Sequence, residues 1–532
     1  MSRAFFTDPK AFNPLLPPRQ NNRTQPAEVG SKFDVVIVGS GFSGLVASIK
    51  LREKGYKIRC YEKGTDAGGT WYWNRYPGAA CDVQSVYYSY SFDERLEQEW
   101  TWPKKYSAQP DILKYAQHVA ARYECYEDTR FSTEVNSCKW NEDTCEWTIR
   151  TNKGDEVHCK HVVLANGSLS MPQVPRQCIE GGIAKFKGVV LHSSRWPEGE
   201  IGNLKGKRVA VVGTGATAVQ IIPAIANEVQ HLYVFQRTPA TVSPRNNKVT
   251  DKAFEEKFKK TYVEARRKFN LGTDAYWKMI NVKDNNDRVM KNLRNRIART
   301  VKDPNVVKLL QPNYPFGCKR PCIHDDYFES FNLDNVTLVD VGSNNGLNLN
   351  GLNEFNENGP VVNGKTYPVD VIVFATGFDA LGGSNFAACN VEANGIKLDQ
   401  KWENNGRPTA FYGIHVSGFP NCYIMQGPHS PSVLSCMIYS SELQADHIVG
   451  AVSTCKNLSK GRIEVVEDAE LEWVNNSERL GFNKVQSACQ NWYNKDKGKG
   501  ALQVYTGELE GYRKSLIHDV DVKFESGSYK LN

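Results

Sequence analysis

The sequence predicts an α/β protein with two Rossmann-like dinucleotide-binding domains and a helical insertion. Two short apolar runs, residues 33–38 and 208–212, each lead into a glycine-rich turn that is followed by a helical pattern. This succession of strand, turn and helix is the nucleotide-binding unit of such domains. A third observation is the charged, helix-prone region 244–318, in which no strand pattern is evident. A chain of 532 residues is long enough for two or three domains.

The first glycine-rich turn has the pattern G-x-G-x-x-G and follows the predicted strand that ends at Val38. The next predicted strand, 57–61, ends in Glu62, 18 residues after Gly44. This spacing is close to the ~20 residues expected for the acid that binds a ribose 2′-hydroxyl. A glycine turn without a ligand is the alternative, but the strand, the helix and the acid together favour a dinucleotide. The residues predicted to bind it are Gly39, Gly41, Phe42, Ser43, Gly44, Glu62 and Lys63.

The second turn has the variant pattern G-x-G-x-x-A, in which a small third residue permits close packing of helix on strand. The following strand, 232–235, leads into Arg237, where an NAD site would place an acidic residue. An arginine suits a bidentate grip on the 2′-phosphate of NADP, although a solvated surface arginine remains the alternative. The residues predicted to bind NADP here are Gly213, Thr214, Gly215, Ala216, Thr217, Ala218, Gln220, Arg237 and Thr238.

Between the two turns lies the stretch F-x-G-x-x-x-H-x-x-x-W-P-E, formed by Phe186, Gly188, His192, Trp196, Pro197 and Glu198. For a lone histidine, a buried strand with a hydrogen-bonded imidazole would be the simpler interpretation. Every fixed position of the stretch is present, however, and the flanking units are those of a flavoenzyme. The stretch resembles the fingerprint of the Baeyer–Villiger monooxygenases, flavoenzymes that insert one oxygen atom beside a ketone carbonyl.

The resemblance extends to the segment that follows the first nucleotide unit. Gly68-Gly69-Thr70-Trp71 and Tyr76-Pro77-Gly78 look like the flavin-embracing loop of that family. The resemblance implies FAD contacts from Gly69, Thr70, Trp71, Tyr72, Trp73, Asp82, Tyr88, Val135 (near the adenine) and Met437, and NADP contacts from Ala80, Cys81 and Asp82. One departure is Ala80, where the family often has arginine.

Two adjacent cations, Lys319 and Arg320, follow the predicted insertion. In the family that the chain resembles, the lysine assists the NADP phosphate and the arginine lies beside the flavin and the nicotinamide. The resemblance therefore implies catalytic roles for Arg320, for Asp82 as its orienting partner, and for His192 as a conformational coupler. The substrate pocket is expected at Ser432, Val433, Leu434 and Trp492. His429 in place of a glycine, and the residues after Tyr493, are further departures.

The resemblance implies an FAD-dependent Baeyer–Villiger monooxygenase that uses NADPH and O₂ to convert ketones to esters or lactones through a C4a-peroxyflavin. A heteroatom (N/S) oxidising flavin monooxygenase is the first alternative, because it shares both glycine motifs, and a catalytically inactive nucleotide sensor is the second. The predicted FAD-binding domain comprises 1–166 and 381–532, the NADP-binding domain 167–243 and 319–380, and the helical insertion 244–318.

The composition excludes other classes of function. The net charge is +7, from 66 basic and 59 acidic residues without a long basic block, so no nucleic-acid partner is expected. No apolar run approaches the ~18 residues of a membrane span, and residues 1–32 contain no secretory core. The 14 cysteines form no zinc-binding pattern. We expect reduced thiols, no metal, no stable membrane insertion, a cytoplasmic location, and a small-molecule ketone and O₂ as partners, with no protein partner implied.

Overall fold

The structure is a computed structural model that describes residues 26–342, 351–380, 383, 386, 388–431, 435–489, 491, 493–494, 502–521, 524 and 527–532. In this part of the chain the strands are β1 (Val29–Val38), β2 (Ile58–Tyr61), β3 (Thr129–Arg130), β4 (Val135–Asn141), β5 (Glu146–Thr151), β6 (Glu156–Leu164), β7 (Val189–His192), β8 (Arg208–Val212), β9 (His231–Gln236), β10 (Val242–Ser243), β11 (Cys322–Ile323), β12 (Val336–Asp340), β13 (Phe355–Asn356), β14 (Gly359–Val362), β15 (Lys365–Thr366), β16 (Val371–Phe374), β17 (Val391–Ala393), β18 (Ile396–Lys397), β19 (Cys422–Ile424), β20 (Ile463–Val465) and β21 (Tyr529–Leu531).

The α-helices of the described residues are α1 (Phe42–Glu53), α2 (Thr70–Trp73), α3 (Glu94–Glu99), α4 (Gln109–Arg122), α5 (Cys125–Asp128), α6 (Arg176–Glu180), α7 (Ala216–Ile225), α8 (Lys252–Ile280), α9 (Lys283–Thr300), α10 (Pro304–Leu310), α11 (Leu398–Asn404), α12 (Met437–Cys455), α13 (Glu467–Gly481) and α14 (Leu509–Asp521). Short 3₁₀ turns lie at Ser85–Tyr87, Ile183–Lys185, Ser193–Arg195, Gly199–Gly202, Glu329–Asn332 and Val485–Ser487. None of these helices is long and apolar enough to cross a membrane.

In the first sheet β1 lies between β2 and β6 and is parallel to both. The buried run Val35–Ile37 is fully inaccessible to solvent, as expected for a parallel strand covered on both faces. The first half of β6 pairs with antiparallel β5 and its second half with β19. Strands from the N-terminal and the C-terminal parts of the chain therefore share one sheet, which β17 and β18 extend beyond β4.

The second sheet is parallel throughout, in the order β12-β9-β8-β16-β7. Helices α8, α9 and α10 leave this unit after β10, and the chain returns at β11, which pairs with β10. The two ends of the helical region are therefore adjacent, as an insertion requires. These features confirm the predicted fold class: an α/β chain with two Rossmann-like units and a helical insertion.

Two chain segments connect the sheets, and they run side by side in opposite directions. The backbone N–H of Gln173 donates to the carbonyl of Gly377 at 2.9 Å, and that of Asp379 donates to Met171 at 2.9 Å. Because the fingerprint strand β7 pairs in register with β16 next to these segments, it lies where the two units meet.

The inserted helix α8 packs on the first unit as well. Arg266 is 8% exposed and forms an ion pair with Glu97 at 2.6 Å. Its guanidinium also donates to the hydroxyl of Ser89 at 2.8 Å, and Phe269 stacks on Tyr87 with ring centroids 4.1 Å apart. The insertion thus contacts the residues on both sides of Tyr88, one of the predicted FAD contacts.

The expectation that all cysteines are reduced is wrong for one pair. Cys318 and Cys489 form a disulfide, with Cα atoms 6.0 Å apart, a separation within the range that a disulfide requires. The two residues are 171 positions apart in the sequence, so their spacing gave no sign of the pairing. Only the packing of the C-terminal region against the loop after α10 brings them together.

Candidate active site

The first glycine-rich turn forms a cradle between β1 and α1. Gly39 has a φ of 105°, and a Cβ atom there would lie 2.6 Å from the carbonyl of Ala165. A Cβ on Gly44 would overlap the carbonyl of Gly39, and one on Gly41 would lie 3.2 Å from the Cα of Gly69. Because α1 begins at this turn, the N–H groups of its first turn have no partner within the helix. The three glycines allow a pyrophosphate to come close to these N–H groups.

Glu62 lies at the end of β2, beside this cradle. Its carboxylate is 5% exposed and accepts hydrogen bonds from the backbone N–H groups of Ser40 at 2.8 Å and Gly64 at 2.6 Å. Burial raises the pKa of Glu62 above its usual range. The neighbouring Lys63 forms an ion pair with Glu134 at 2.8 Å, so the segment that leads into β4 and Val135 adjoins this corner.

The predicted flavin loop is held by its own aromatic side chains. Gly69 adopts a φ of 53° and leads into α2, a single helical turn. The indole N–H of Trp71 donates to the hydroxyl of Tyr88 at 3.0 Å, and the hydroxyl of Tyr72 lies 2.9 Å from that of Thr65. On the other side, Met437 is the first residue of α12. That helix is linked to α1 through the hydroxyl groups of Ser43 and Ser441, 2.9 Å apart.

The second glycine-rich turn repeats this geometry. Gly213 has a φ of 109°, and a Cβ there would lie 2.7 Å from the carbonyl of Ala375. A Cβ on Gly215 would meet no atom within 4 Å, so space is open at the N-terminus of α7. Thr214 donates through its hydroxyl to the carbonyl of Thr238 at 2.6 Å, which joins the turn to the end of β9. These features fit a second pyrophosphate.

Gln220 of α7 joins the second unit to the predicted flavin loop. Its side-chain oxygen accepts from the hydroxyl of Tyr76 at 2.8 Å, and its nitrogen donates to the carbonyl of Ala80 at 2.9 Å. A Cβ on Gly78 would lie 2.5 Å from the Gln220 carbonyl. Two predicted NADP residues, Ala80 and Gln220, are therefore in direct contact, and Cys81 and Asp82 follow in the same loop.

Arg237 and Lys319 bring two positive charges to the outer side of the second unit. Arg237 is exposed directly after β9. Burial lowers the pKa of Lys319, and the charge of Arg237 lowers it further. Two neighbouring cations that repel each other form a suitable binding site for a phosphate, whose negative charge would stabilise both.

A cluster of three charged side chains lies at the junction of the two units. The Asp82 carboxylate is 2.9 Å from the Nη2 atom of Arg245 and 3.5 Å from that of Arg320. Burial alone would lower the pKa of Arg320, but the Asp82 carboxylate and other nearby acidic groups raise it overall. The guanidinium therefore stays charged and faces the loop that carries Cys81 and Asp82.

Arg245 was missed at the sequence level. It is the more buried arginine, with 7% of its side chain exposed against 35% for Arg320. Its backbone N–H donates to the carboxylate of Asp325 at 2.9 Å, which fixes the loop on which it lies. In the sequence, Arg245 is distinguished only by its place just after Pro244, at the start of the predicted insertion. That place does not indicate that its partner is Asp82.

The fingerprint stretch owes its spacing to close packing. The ring of Phe186 folds over Gly188, where a Cβ would overlap the ring and lie 2.5 Å from the carbonyl of Asp370. Trp196 is 5% exposed. A Cβ on Gly202 would overlap the carbonyl of Pro197, so the chain after the tryptophan turns tightly on itself.

His192 ends β7 and is 1% exposed. Its Nδ1 accepts from the backbone N–H of Ser194 at 3.2 Å and lies 2.8 Å from the Ser194 hydroxyl. Burial lowers the pKa of His192 to about 4, while backbone groups of Gln173 and Gly377 act in the opposite direction. The imidazole is therefore neutral at pH 7 and lies against the two segments that connect the sheets.

The end of the fingerprint contacts the predicted flavin loop directly. Glu198 forms an ion pair with Arg75 at 2.9 Å. The guanidinium of Arg195 lies 4.5 Å from the ring centroid of Trp73, within the range of a cation–π contact, and donates to the carbonyl of Ser170 at 3.2 Å. One short stretch thus contacts the flavin loop, a connecting segment and the second sheet.

The predicted substrate-pocket residues Ser432, Val433, Leu434 and Trp492 lie outside the described residues. Their described neighbour Tyr493 is fully buried and close enough to Arg320 for the two groups to influence each other's pKa. His429 is fully buried with a φ of 61°, a conformation that explains why a glycine suits this position. Within the described residues no cluster of three or more His, Cys, Asp or Glu could hold a metal ion.

A sequence profile of the flavin-binding monooxygenase-like family (FMO-like) matches residues 32–310, which include both glycine-rich turns and the fingerprint. The chain belongs to this family. This result confirms the prediction of a flavin-binding monooxygenase.

Individual relatives of this monooxygenase narrow the class. A Baeyer–Villiger monooxygenase of Streptomyces coelicolor is 34% identical over 84% of this chain and 79% of its own length. An oxidised steroid monooxygenase bound to NADP is 32% identical, with a TM-score of 0.84 over 94% of this chain and 99% of that one. The OTEMO complex with FAD and NADP is 28% identical, with a TM-score of 0.85 over 94% and 100%. These matches confirm the predicted membership of the Baeyer–Villiger group.

Proposed function

We propose that this monooxygenase oxidises ketones to esters or lactones with FAD, NADPH and O₂. The observation that carries the proposal is the Asp82 cluster, in which Arg320 is held at the junction of two dinucleotide-binding units. The Baeyer–Villiger relatives and their complexes with FAD and NADP support it. When bound and reduced by NADPH, FAD supplies the activated oxygen atom, and the residues of the chain bind, orient and shield the reactants.

We assign FAD to a domain formed by residues 1–166 and 381–532, and NADP to one formed by 167–243 and 319–380, with 244–318 inserted. The sheets support this division, because β1 to β6 pair with β17 to β19, whereas β7 to β9 pair with β12 and β16. In the FAD domain, the first glycine cradle binds the pyrophosphate, Glu62 and Lys63 bind the ribose side, and Val135 lies near the adenine. The loop Gly69–Trp73, with Asp82, Tyr88 and Met437, holds the flavin ring.

In the NADP domain, the second glycine-rich turn and the N-terminus of α7 bind the pyrophosphate. Arg237, with Thr238 beside it, binds the 2′-phosphate, and Lys319 assists. A charge-assisted hydrogen bond of this kind contributes about 1.5–3 kcal/mol, so NADPH is preferred over NADH. Ala80, Cys81 and Gln220 line the side of the site that faces the flavin loop.

Arg320 stabilises the negative charge that develops on the reacting oxygen atoms when oxygen adds to the ketone. A fixed cation in a site shielded from water stabilises this transition state more than the neutral ketone. Asp82 orients the guanidinium, and Arg245 orients Asp82. His192 couples the two domains, because it lies neutral and buried against both connecting segments.

The remaining assignments are coarser. We place the substrate pocket at Ser432, Val433, Leu434 and Trp492, by resemblance to the family. We also place the enzyme in the cytoplasm and expect a small-molecule ketone as its substrate. No protein partner is needed for electron transfer, since one chain carries both dinucleotide-binding units. The cysteines other than the disulfide pair are free thiols in the described residues, as is usual in a reducing compartment.

The decisive experiment measures ester formed per NADPH oxidised in Arg320→Ala and Arg320→Lys. The alanine variant should retain FAD and much of the flavin reduction but lose oxygen transfer, by on the order of 10²–10³ in rate. Lysine keeps the charge but not the planar fork, so it should rescue only part of the activity.

A thioether substrate run in parallel separates the two classes of monooxygenase. If Arg320→Ala converts a good ketone at nearly the wild-type rate, the proposed mechanism is wrong. If the wild type oxidises thioethers but no cyclic, linear or aryl ketone, heteroatom oxidation becomes the better assignment.

A further inference from the structure

The loop that carries Lys319 and Arg320 is joined to the C-terminal part of the chain by a disulfide. Cys318, directly before Lys319, is bonded to Cys489, and their Cα atoms are 6.0 Å apart. Cys318 is fully buried, whereas Cys489 is partly exposed. The crosslink thus begins two residues from the arginine of the candidate active site, and Cys489 is the more exposed of its two cysteines.

The side chain of Asn491 makes a second connection at the same place. Its Nδ2 donates to the carbonyl of Cys318 at 2.7 Å and to that of Gln486 at 2.6 Å. Its Oδ1 accepts from the backbone N–H of Tyr493 at 2.7 Å. The bond to the Cys318 carbonyl joins the C-terminal residues to the loop, and the other two fix Asn491 within its own segment.

Tyr493 brings this connection to the reacting centre. Its side chain is fully buried. Burial raises the pKa of the Tyr493 phenol, and the positive charge of Arg320 opposes that rise. A described residue of the C-terminal segment therefore lies close enough to the Arg320 guanidinium, which Asp82 also contacts, for the two groups to affect each other's pKa.

We propose that the Cys318–Cys489 disulfide is a redox-responsive crosslink that positions Arg320. The proposal rests on the function proposed above. With the bond intact, the C-terminal segment stays against the loop and Arg320 keeps its place beside Asp82. With the bond broken, only non-covalent contacts such as the Asn491–Cys318 hydrogen bond hold the two parts together, and Arg320 gains freedom, so oxygen transfer to the ketone loses efficiency. The glycine cradles, which the crosslink does not touch, continue to bind their dinucleotides.

Reduction requires a dithiol. A thiolate of the reductant attacks Sγ of Cys489, the more exposed sulfur, and a new S–S bond forms as the bond to Cys318 breaks. Cys318 leaves as a thiolate and takes up a proton. The second thiol of the reductant then displaces Cys489, so that the reductant becomes a disulfide and two electrons and two protons end on the two cysteines. Disulfides in reducing compartments are more often redox-sensing than structural.

The first measurement is the state of the two cysteines in air-oxidised holoenzyme. Free thiols are alkylated without reductant, the protein is digested, and the peptides are identified by mass spectrometry. We expect the peptides of Cys318 and Cys489 to be linked, while the partly exposed free thiol of Cys145 is alkylated. Alkylation of both Cys318 and Cys489 would overturn the proposal.

The second measurement compares oxidised holoenzyme with holoenzyme treated with dithiothreitol and then alkylated. We expect faster protease cleavage within residues 485–489 and unchanged flavin absorbance. Flavin reduction is measured at saturating NADPH, because Lys319 next to Cys318 assists NADP binding, and it should change far less than ester formation. Ester formed per NADPH should fall roughly ten-fold, because a displacement of about 1 Å at a reacting group can cost up to about 10²-fold. Complete reduction that changes neither cleavage nor ester yield would show that the bond does not position Arg320.

Two variants complete the test. Cys489→Ser should behave as the reduced wild type and should no longer respond to dithiothreitol, whereas the matched control Cys145→Ser should respond as the wild type does. If Cys489→Ser fails to fold, the dithiothreitol comparison on folded wild type still decides. If oxidised wild type forms ester from no ketone, the proposed function fails, and faster cleavage after reduction would still support the crosslink.

Discussion

At the scale of single residues, the Asp82 carboxylate is the group that positions Arg320, the arginine we propose for the active site. The Asp82 carboxylate is shared between Arg245 at 2.9 Å and Arg320 at 3.5 Å. Arg245 is the more buried of the two, and its loop is fixed by Asp325. The shorter and better shielded ion pair therefore anchors the carboxylate, which in turn holds the guanidinium of Arg320.

We predict that Arg245→Gln lowers the rate of ester formation by about 10- to 150-fold, the effect of losing a charge-assisted hydrogen bond of about 1.5–3 kcal/mol. Flavin reduction by NADPH should fall less, because Arg245 acts through Asp82. Arg245→Lys should restore part of the loss. Steady-state rates of ester formation and stopped-flow flavin reduction measure the two effects.

Arg208→Gln is the matched control, since it removes another Arg–Asp pair, away from Asp82, with 41% and 42% of the two side chains exposed. An exposed pair of this kind contributes about 0–1 kcal/mol, so this variant should resemble the wild type. Wild-type rates in Arg245→Gln would mean that Asp82 needs no second partner.

At the scale of elements, the fingerprint stretch contacts three parts of the chain: the second sheet, the predicted flavin loop and the segments that connect the sheets. Strand β7 pairs with β16, Glu198 holds Arg75 of the flavin loop, and His192 lies against the connecting segments. Its fixed glycine has a packing reason, because Gly188 lies under the Phe186 ring and against the backbone of Asp370. The coupling that we propose for the motif therefore requires that β7 keep its packing at Gly188.

We predict that Gly188→Ala destabilises the enzyme by about 1–3 kcal/mol, the usual cost of overfilling a packed site. The unfolding midpoint in urea, followed by flavin fluorescence, should fall, and so should ester formed per NADPH, since the shifted strand carries His192.

Gly272→Ala in the interior of α8 is the control, because a Cβ there meets no atom within 4 Å. It should leave stability unchanged or raise it by up to about 1 kcal/mol. Equal midpoints for Gly188→Ala and the wild type would show that the ring of Phe186 can move aside at no cost.

At the scale of the whole molecule, several histidines are buried without charge. Burial lowers the pKa of His192 and His447 to about 4 and that of His161 and His429 to about 3, and it lowers the pKa of His415 well below its usual range. The unfolded chain protonates these groups near pH 6.5. Between about pH 6.5 and 4 the unfolded state therefore binds protons that the folded state does not.

We predict that these histidines make stability fall as the pH drops below about 6.5, each by up to about 1.4 kcal/mol per pH unit, and contribute no loss above that pH. Urea midpoints at pH 7.5, 6.5 and 5.5 measure this slope. His161→Gln should reduce the slope by the share of one histidine, whereas His518→Gln, with an exposed side chain, should not. An equal slope in His161→Gln and the wild type would contradict this account.

The sequence by itself determined the features that depend on neighbouring residues. Gly39 and Gly213 adopt φ values of 105° and 109° at the ends of strands, a conformation that favours glycine, so each turn could be recognised from the chain alone. The helical insertion followed from a long stretch of charged helix formers between strand patterns. The family could be recognised from the spacing of the fingerprint, because close packing around Gly188 and Trp196 restricts which residues are tolerated there.

The tertiary structure alone decided which distant residues meet. Arg245 and Asp82 are 163 positions apart, Cys318 and Cys489 are 171 apart, and Glu198 and Arg75 are 123 apart. A charged residue or a cysteine in a sequence shows that it needs a partner when buried, but it does not show which one. The partner depends on how the sheets, the insertion and the C-terminal segment pack together, and that packing is set by the sum of many weak contacts over the whole chain.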